Sequence, residues 1–341
     1  MARPSRSSPR SRVPKKRAQP AIAGTPAATA ELTALDRALI ELLREDGRAG
    51  NRSLASRLGV NEVTVATRLR RLEEADLMRV VAVTDIRLFG HREFVFALFQ
   101  VTGRSIHEVA ADLAKLPEAV GVMTTAGAFD IIVPMLFRDR HHVAHMFGTV
   151  LPSIDGVSRV RGSMALDVLK YDSKWANFHI DPGAMPEALP SDTVDETDLD
   201  IIRILQRNAR RSNRSIASDL GVSEGTIRGR IKRMLADRVF RIQAVSDVAA
   251  FGYRAHAFIT FTVDPGMVDD VAAELAKRND VAQLTRVLDD FDLIALVMGA
   301  DNDSLMAAVL DEIALLPGIR RTETLYGCGS FKHIYAWTWI I

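Results

Sequence analysis

The segment Asn51-Arg52-Ser53-Leu54-Ala55-Ser56-Arg57-Leu58-Gly59-Val60-Asn61-Glu62-Val63-Thr64 returns 162 residues later as Asn213-Arg214-Ser215-Ile216-Ala217-Ser218-Asp219-Leu220-Gly221-Val222-Ser223-Glu224-Gly225-Thr226, with ten of fourteen positions identical. The same offset, without a gap, carries Asp36 onto Asp198, Phe89-Gly90 onto Phe251-Gly252 and Phe129-Asp130 onto Phe291-Asp292. The chain is therefore a tandem duplication. Each copy holds about 145 residues, too long for a solenoid unit and long enough for its own core.

Within each copy the apolar period changes from about 3.6 to about 2, which predicts a helical subdomain followed by a sheet subdomain. In the first copy Leu35, Leu39, Leu42 and Leu43 form the stripe of one helix. A short second helix near Ser53–Leu58 ends at Gly59, and Asn61 caps a third whose Val65, Leu69 and Leu72 face inward. In the second copy Ser223 caps, and Ile227, Ile231 and Met234 face inward. Short helix, glycine turn and capped helix form the helix-turn-helix pattern, whose second helix enters the DNA major groove. A plain helical hairpin has the same outline, so charge must decide.

The face opposite the apolar stripe of the third helix carries Thr64, Thr67, Arg68 and Arg71, flanked by Arg70; its counterpart carries Thr226, Gly229, Arg230 and Arg233, flanked by Arg228 and Lys232. Guanidinium forks donate to guanine edges and to phosphates, and hydroxyls near a helix start, such as Ser223, reach the same atoms. Arg37 to Arg79 hold nine basic and seven acidic residues, whereas Arg203 to Arg241 hold eleven and three. Double-stranded DNA is the expected partner, gripped harder by the second copy.

The formal charge of +1 conceals seven basic residues and no acid in Met1–Pro20, which leaves the remainder at −6. We read residues 1–31 as a disordered basic tail able to add sequence-independent attraction to phosphate. A single cysteine, Cys328, argues against disulfides and thiolate metal clusters and fits a reducing compartment. No apolar run approaches the ~20 residues of a membrane helix; a cytoplasmic protein with no membrane partner is expected.

After the third helix, Met78–Val83 and Phe240–Val245 suit a wing or a connecting strand. The order β-α-β-β-α-β follows, over Glu93–Val101, Ser105–Lys115, Val120–Thr125, Phe129–Leu136, His141–Leu151 and Val157–Lys170, and again over Ala255–Val263, Met267–Lys277, Val281–Leu288, Phe291–Met298, Asp303–Ile313 and Ile319–Lys332. The predicted class is α+β: two copies of a winged helix-turn-helix, each followed by a ferredoxin-like βαββαβ sandwich. The expected divisions are a tail (1–31), helix-turn-helix units (32–84 and 196–246), sandwiches (85–178 and 247–341) and a Pro-rich linker (179–195). Because Phe94, Phe96 and Leu98 alternate with Val95, Ala97 and Phe99, both faces of the first sandwich strand are apolar, and a partner sheet is the expected cover.

These features together resemble the Lrp/AsnC family of transcriptional regulators over Leu32–Ala176 and Val194–Trp339. The carriers are Leu58–Glu73, its counterpart Leu220–Leu235, Gly127-Ala128-Phe129-Asp130 and Leu316–Thr324. The resemblance implies homo-oligomerisation through the sheets, with one chain standing as a covalent dimer. It also implies a pocket for a small effector, an amino acid by family habit, beside the Gly-x-aromatic-Asp hairpin. Copy one matches at Gly127, Phe129 and Asp130, with Thr125, Ala126 and Ala128 alongside; copy two keeps Asp292 but has Leu288-Asp289-Asp290 before it, and Asp289 would repel an α-carboxylate. Two ordinary β-turns would use the same residues.

His141, His142 and His145 have no carboxylate within the same helical turns to complete a metal site, and no phosphate-binding loop, nucleophile elbow or zinc-protease motif occurs. No cofactor, metal or catalytic residue is expected. An enzymatic alternative remains, because siroheme decarboxylases resemble the same two-part architecture, including fused pairs; such an enzyme needs a cationic or imidazole-lined tetrapyrrole cleft.

Overall fold

The computed structural model describes residues 32–180, 190–191 and 193–338. The expected basic tail and most of the expected linker lie outside them. The first copy contains α1 (Ala34–Glu45), α2 (Asn51–Leu58), α3 (Glu62–Glu74), β1 (Met78–Asp85), β2 (Glu93–Val101), α4 (Ile106–Leu113), β3 (Gly121–Ala126), β4 (Ile131–Phe137), α5 (Arg140–His145), β5 (Val157–Tyr171) and β6 (Trp175–Ala176). The second repeats it as α6 (Glu196–Arg207), α7 (Asn213–Leu220), α8 (Glu224–Ala236), β7 (Phe240–Asp247), β8 (Ala255–Val263), α9 (Val268–Lys277), β9 (Val281–Leu288), β10 (Leu293–Gly299), α10 (Asn302–Ala307), β11 (Ile319–His333) and β12 (Trp337–Thr338).

Local chemistry sets the helix ends. Thr33 and Asp36 form a capping box on α1, and Asp195 and Asp198 form its counterpart on α6. Gly59 and Gly221, at φ 66° and 67°, close α2 and α7 in the left-handed conformation that glycine adopts without steric cost. Asn61 Oδ1 accepts from the Thr64 N–H at 2.7 Å, and Ser223 Oγ from the Thr226 N–H at 3.0 Å.

The two sandwich sheets do not remain separate. Their strands close into an eight-stranded barrel in the order β10-β8-β11-β3-β4-β2-β5-β9, sealed between copies by the antiparallel seams β11/β3 and β5/β9. Phe94, Phe96 and Leu98 face its interior together with Phe258, Ile294 and Leu325 of the second copy, while Val95, Ala97 and Phe99 pack outward with Val109 and Leu113 of α4. Phe96 and Phe258 occupy matching positions and meet edge-on, their ring centroids 6.2 Å apart. Burying each such ring contributes about 1.5–3 kcal/mol relative to leaving it in water. The apolar second face anticipated for β2 is thus covered inside the chain, and the sheet pairing expected between chains is made within one.

The connecting strands do not turn back on their own copy as a wing would. β1 and β7 pair antiparallel with one another, Val81 opposite Gln243, and each gains a parallel neighbour from the far copy: β12 lies on β1 and β6 lies on β7. Side chains repeat the exchange. Lys332 Nζ donates to the Leu116 carbonyl at 2.8 Å, just past α4, and Lys170 Nζ to those of Ala276 and Arg278 at 2.9 and 2.6 Å, at the end of α9. A cation at these carbonyls is stabilising because a helix C-terminus carries partial negative charge.

Candidate nucleic-acid interface and ligand cavity

The polar face of the third helix in each copy is outward, but part of its charge is engaged within the unit. Arg68 and Arg71 lie on the polar side of α3, but their side chains turn back to Asp36 of α1: Arg68 Nη1 meets Oδ1 at 2.9 Å and Arg71 Nη2 meets Oδ2 at 2.5 Å. The second copy repeats this clamp. Arg230 Nη1 donates to Asp195 at 2.7 Å and to Asp198 at 2.9 Å, while Arg233 pairs with Asp198 and donates to the Thr193 carbonyl at 2.7 Å. These four arginines, expected at DNA, are each tied to an aspartate of their own helix-turn-helix unit. They brace the helix-turn-helix, because Asp36 and Asp198 are buried and a buried carboxylate requires partners.

Thr67, Arg70 and Val63 on α3 and Arg228, Gly229 and Lys232 on α8 are exposed, as are Arg71 and Arg233 beyond their aspartate contacts. Arg70 and Lys232 make no ion pair among the described residues; Arg228 makes an exposed i,i+4 pair with Glu224 at 2.9 Å. Thr64 and Thr226 hold their own N-caps through hydroxyl contacts to Asn61 at 3.0 Å and Ser223 at 2.8 Å.

The two helix-turn-helix units are clasped by a reciprocal pair of arginines that the sequence reading missed. Arg48 donates to the carbonyls of Ala209 and Arg211 and to the Asn213 side chain at 3.0, 2.7 and 3.1 Å. Arg210, its repeat equivalent, donates to the carbonyls of Gly47 and Ala49 and to the Asn51 side chain at 3.2, 3.1 and 3.0 Å. Burial holds both guanidiniums below their ordinary pKa, Arg48 further through the charge of Arg210. Gly47 lies against β7 so closely that a Cβ would stand 2.8 Å from the Ile242 carbonyl oxygen. The relative placement of α3 and α8 is therefore built into the contact between copies.

At the turns between β3 and β4 and between β9 and β10, several expected ligand contacts are internal. Thr125 is buried, and its hydroxyl donates to the Phe129 carbonyl at 2.8 Å. The Asp130 carboxylate accepts from the Val101 N–H at 2.8 Å, and Asp292 from the Val263 N–H at 2.8 Å. These two carboxylates therefore tie each turn to the end of the adjacent strand. Ala126 ends β3, and a Cβ on Gly127 would lie 2.9 Å from the Thr324 carbonyl oxygen, so this glycine permits the close approach of β11. Asp289, expected to repel an anion, instead crosses to the first copy: Arg161 Nε contacts its Oδ1 at 3.1 Å, and Ser163 donates to Oδ2. Burial pushes the Asp289 carboxyl up, but the hydrogen bonds from Arg161 and Ser163 outweigh it and hold it below the usual carboxylate range.

Ala128 and Phe129 do line a cavity, of about 610 Å³. Gln100, Ala128, Phe129, Arg159 and Arg161 come from the first copy and Thr260, Thr262, Asp290, Phe291, Arg320, Arg321 and Glu323 from the second. Most members are repeat equivalents, Phe129 with Phe291 and Arg159 with Arg321, so the cavity straddles the axis relating the copies. Its arginines escaped the sequence reading because they lie near the starts of two long strands, where charged residues normally mark a solvated face. No group of three metal-ligating side chains occurs among the described residues. His142 instead lies 3.3 Å from Glu118.

Two clasped helix-turn-helix units above a closed pair of ferredoxin-like sheets define a class in which a DNA-reading head is joined to a ligand-binding base. An AsnC-type helix-turn-helix domain matches residues 32–73 and 194–235, and an Lrp/AsnC ligand binding domain matches 95–175 and 256–333. The chain belongs to the Lrp/AsnC family of transcriptional regulators, with each part present twice. It is 31% identical over 134 residues to the HTH-type transcriptional regulator FL11 of Pyrococcus abyssi, spanning 39% of this chain and 88% of the relative. The regulator Ptr1 of Methanocaldococcus jannaschii is 27% identical over 140 residues, or 41% of this chain and 95% of the relative. Among solved structures, the siroheme decarboxylase NirDL aligns with 87% of this chain and 92% of its own at a TM-score of 0.64 and 16% identity, a likeness of fold.

Proposed function

We propose that this chain is a sequence-specific DNA-binding regulator acting as a covalent dimer with two unlike reading heads, its geometry on DNA shifted by a small effector bound in the sandwich region. The observation that carries it is the Arg48/Arg210 clasp, which holds α3 and α8 as one unit while leaving their outer faces in solvent. Thr64 and Thr226 are alike, but Val63, Ala66 and Thr67 of α3 stand where α8 has Gly225, Arg228 and Gly229. Val63, 74% exposed, offers methyl groups to a thymine C5-methyl, and Gly225 offers none. Arg228 and Lys232 give α8 the greater capacity to neutralise phosphate. The operator is accordingly asymmetric, unlike the palindrome read by two identical subunits.

Selection of bound duplexes from a random pool, followed by gel-shift titration at several salt concentrations, tests this. An asymmetric motif is expected. Arg228→Gln with Lys232→Gln should lower affinity and the salt dependence more than Arg70→Gln does, by roughly one unit of slope for each phosphate no longer neutralised. Arg68, Arg71, Arg230 and Arg233 are unsuitable for this test, because reversing them would unbrace the fold. Retention that is insensitive to salt, or the opposite order of effects, refutes the assignment. The effector acts by linkage, altering DNA affinity only insofar as it binds one state better than another.

A second reading, a siroheme decarboxylase-like enzyme, draws support from the likeness to NirDL over most of the chain and from the cationic cavity. Anaerobic incubation with siroheme separates the two: a spectral change with release of CO2 favours the enzyme. Because the sheet faces are closed within one chain, assembly of several chains would use other surfaces.

A further inference from the structure

Resting on the regulator reading and deepening it, we infer that the cavity between the copies takes a ligand bearing two or more carboxylates, rather than a zwitterionic amino acid. Four guanidiniums line it, Arg159, Arg161, Arg320 and Arg321, against two carboxylates, Asp290 and Glu323. Both carboxylates are already engaged, Asp290 by Arg161 and Glu323 by Arg321. An α-ammonium entering the cavity therefore finds no free anion. Asp130 and Asp292, the acids that the hairpin pattern would offer it, are held by backbone N–H groups.

An anion finds the reverse. Arg159 is exposed and makes no ion pair among the described residues. Arg320 has only a 3.5 Å contact with Asp264, an exposed pair that contributes little and yields readily to a competing carboxylate, and Arg321, 70% exposed, gives Glu323 a bond from Nη2 alone and keeps its other N–H groups for a ligand. Arg161 is fixed over the Phe291 ring at 5.5 Å by its acidic partners and forms a rigid floor. Arg159 and Arg321 are repeat equivalents on opposite sides, placed to fork onto two separate carboxylates of one ligand. A volume of about 610 Å³ suits a small organic molecule. Because the cavity uses both copies, one chain binds one ligand.

The test is calorimetric titration of the full chain with citrate, with leucine as zwitterionic control and uroporphyrin as a macrocyclic polycarboxylate. Gel-shift of the same preparation without ligand is run in parallel. Binding of one citrate per chain is expected, weakened by salt and reduced about tenfold or more in Arg159→Gln combined with Arg321→Gln, a pair of exposed sites whose replacement leaves the thermal midpoint in place. Uroporphyrin binding lost in the same variant, with citrate inert, upholds the polycarboxylate class and assigns it to a macrocycle. Leucine binding at least as tight as citrate, binding of neither acid, or citrate affinity unchanged in the double variant overturns the inference. Carboxylate binding by a chain that fails to retain DNA would sink the regulator reading instead and leave the cavity assignment standing.

Discussion

Replacing Asp36 by Asn isolates the clamp that joins the first and third helices. The substitution keeps the size of the side chain but removes the charge that receives Arg68 and Arg71 and weakens the return bond to the Thr33 N–H, now 2.9 Å. Loss of a cap costs about 0.5–2 kcal/mol. Stranding the partners of a buried carboxylate costs about 3–5 kcal/mol when both sides are dry. Here the arginine side chains are 31% and 44% exposed and can rehydrate, so the sum should fall at about 2–4 kcal/mol. Burial raises the Asp36 pKa, yet the Thr33 hydrogen bonds and the Arg68 and Arg71 interactions lower it more, leaving it below the ordinary value. A depressed carboxyl stabilises in full above its unfolded pKa of about 3.9 and loses that contribution as pH falls through the folded value. Amide hydrogen exchange in α1, around Leu39–Leu43, is the assay, because a multidomain chain need not unfold in one step. Exchange should be faster in the variant at pH 7, with the gap closing in acid below about pH 4. Equal protection at pH 7, or a gap that persists unchanged in acid, would refute this account.

Three further outcomes follow from particular contacts. Arg48→Ala together with Arg210→Ala should leave each helix-turn-helix folded but loosen their pairing, so that affinity for a full operator falls toward that for a half-site in gel-shift assays; each stranded carbonyl adds about 1–3 kcal/mol to the loss. Gly327→Ala drives a Cβ into the His256 ring and should lower the thermal midpoint, by about 1–3 kcal/mol of overpacking, with no change in net charge. His333, pushed down to about 4 by burial and the nearby His256, remains neutral in the fold while the unfolded chain protonates near 6.5. Stability should therefore decline as pH falls from about 6.5 to about 4, and His333→Gln should flatten that limb in denaturant titrations; an unchanged slope would assign the limb to other groups.

Repetition at a constant offset, the glycine at each helix turn, the capping residues and the doubly apolar β2 strand were legible because each depends on neighbours in sequence or on a period of 3.6 or 2. The same local logic did not show the aspartate partners of the arginines on α3 and α8. A helical face is outward only with respect to its own axis, and a guanidinium on a long stem reaches back to a carboxylate 32 or 35 residues earlier. The equivalence of Asp36 with Asp198 was visible, but nothing local says that a helix N3 carboxylate is buried. Exchange of β6 and β12, the Arg48/Arg210 clasp, the Asp289 contact with Arg161 and the arginine-lined cavity all join residues 71 or more positions apart. Local propensity determined the elements and their duplication; the burial of apolar surface between copies decided which charges became structural and which stayed available to a ligand or to DNA.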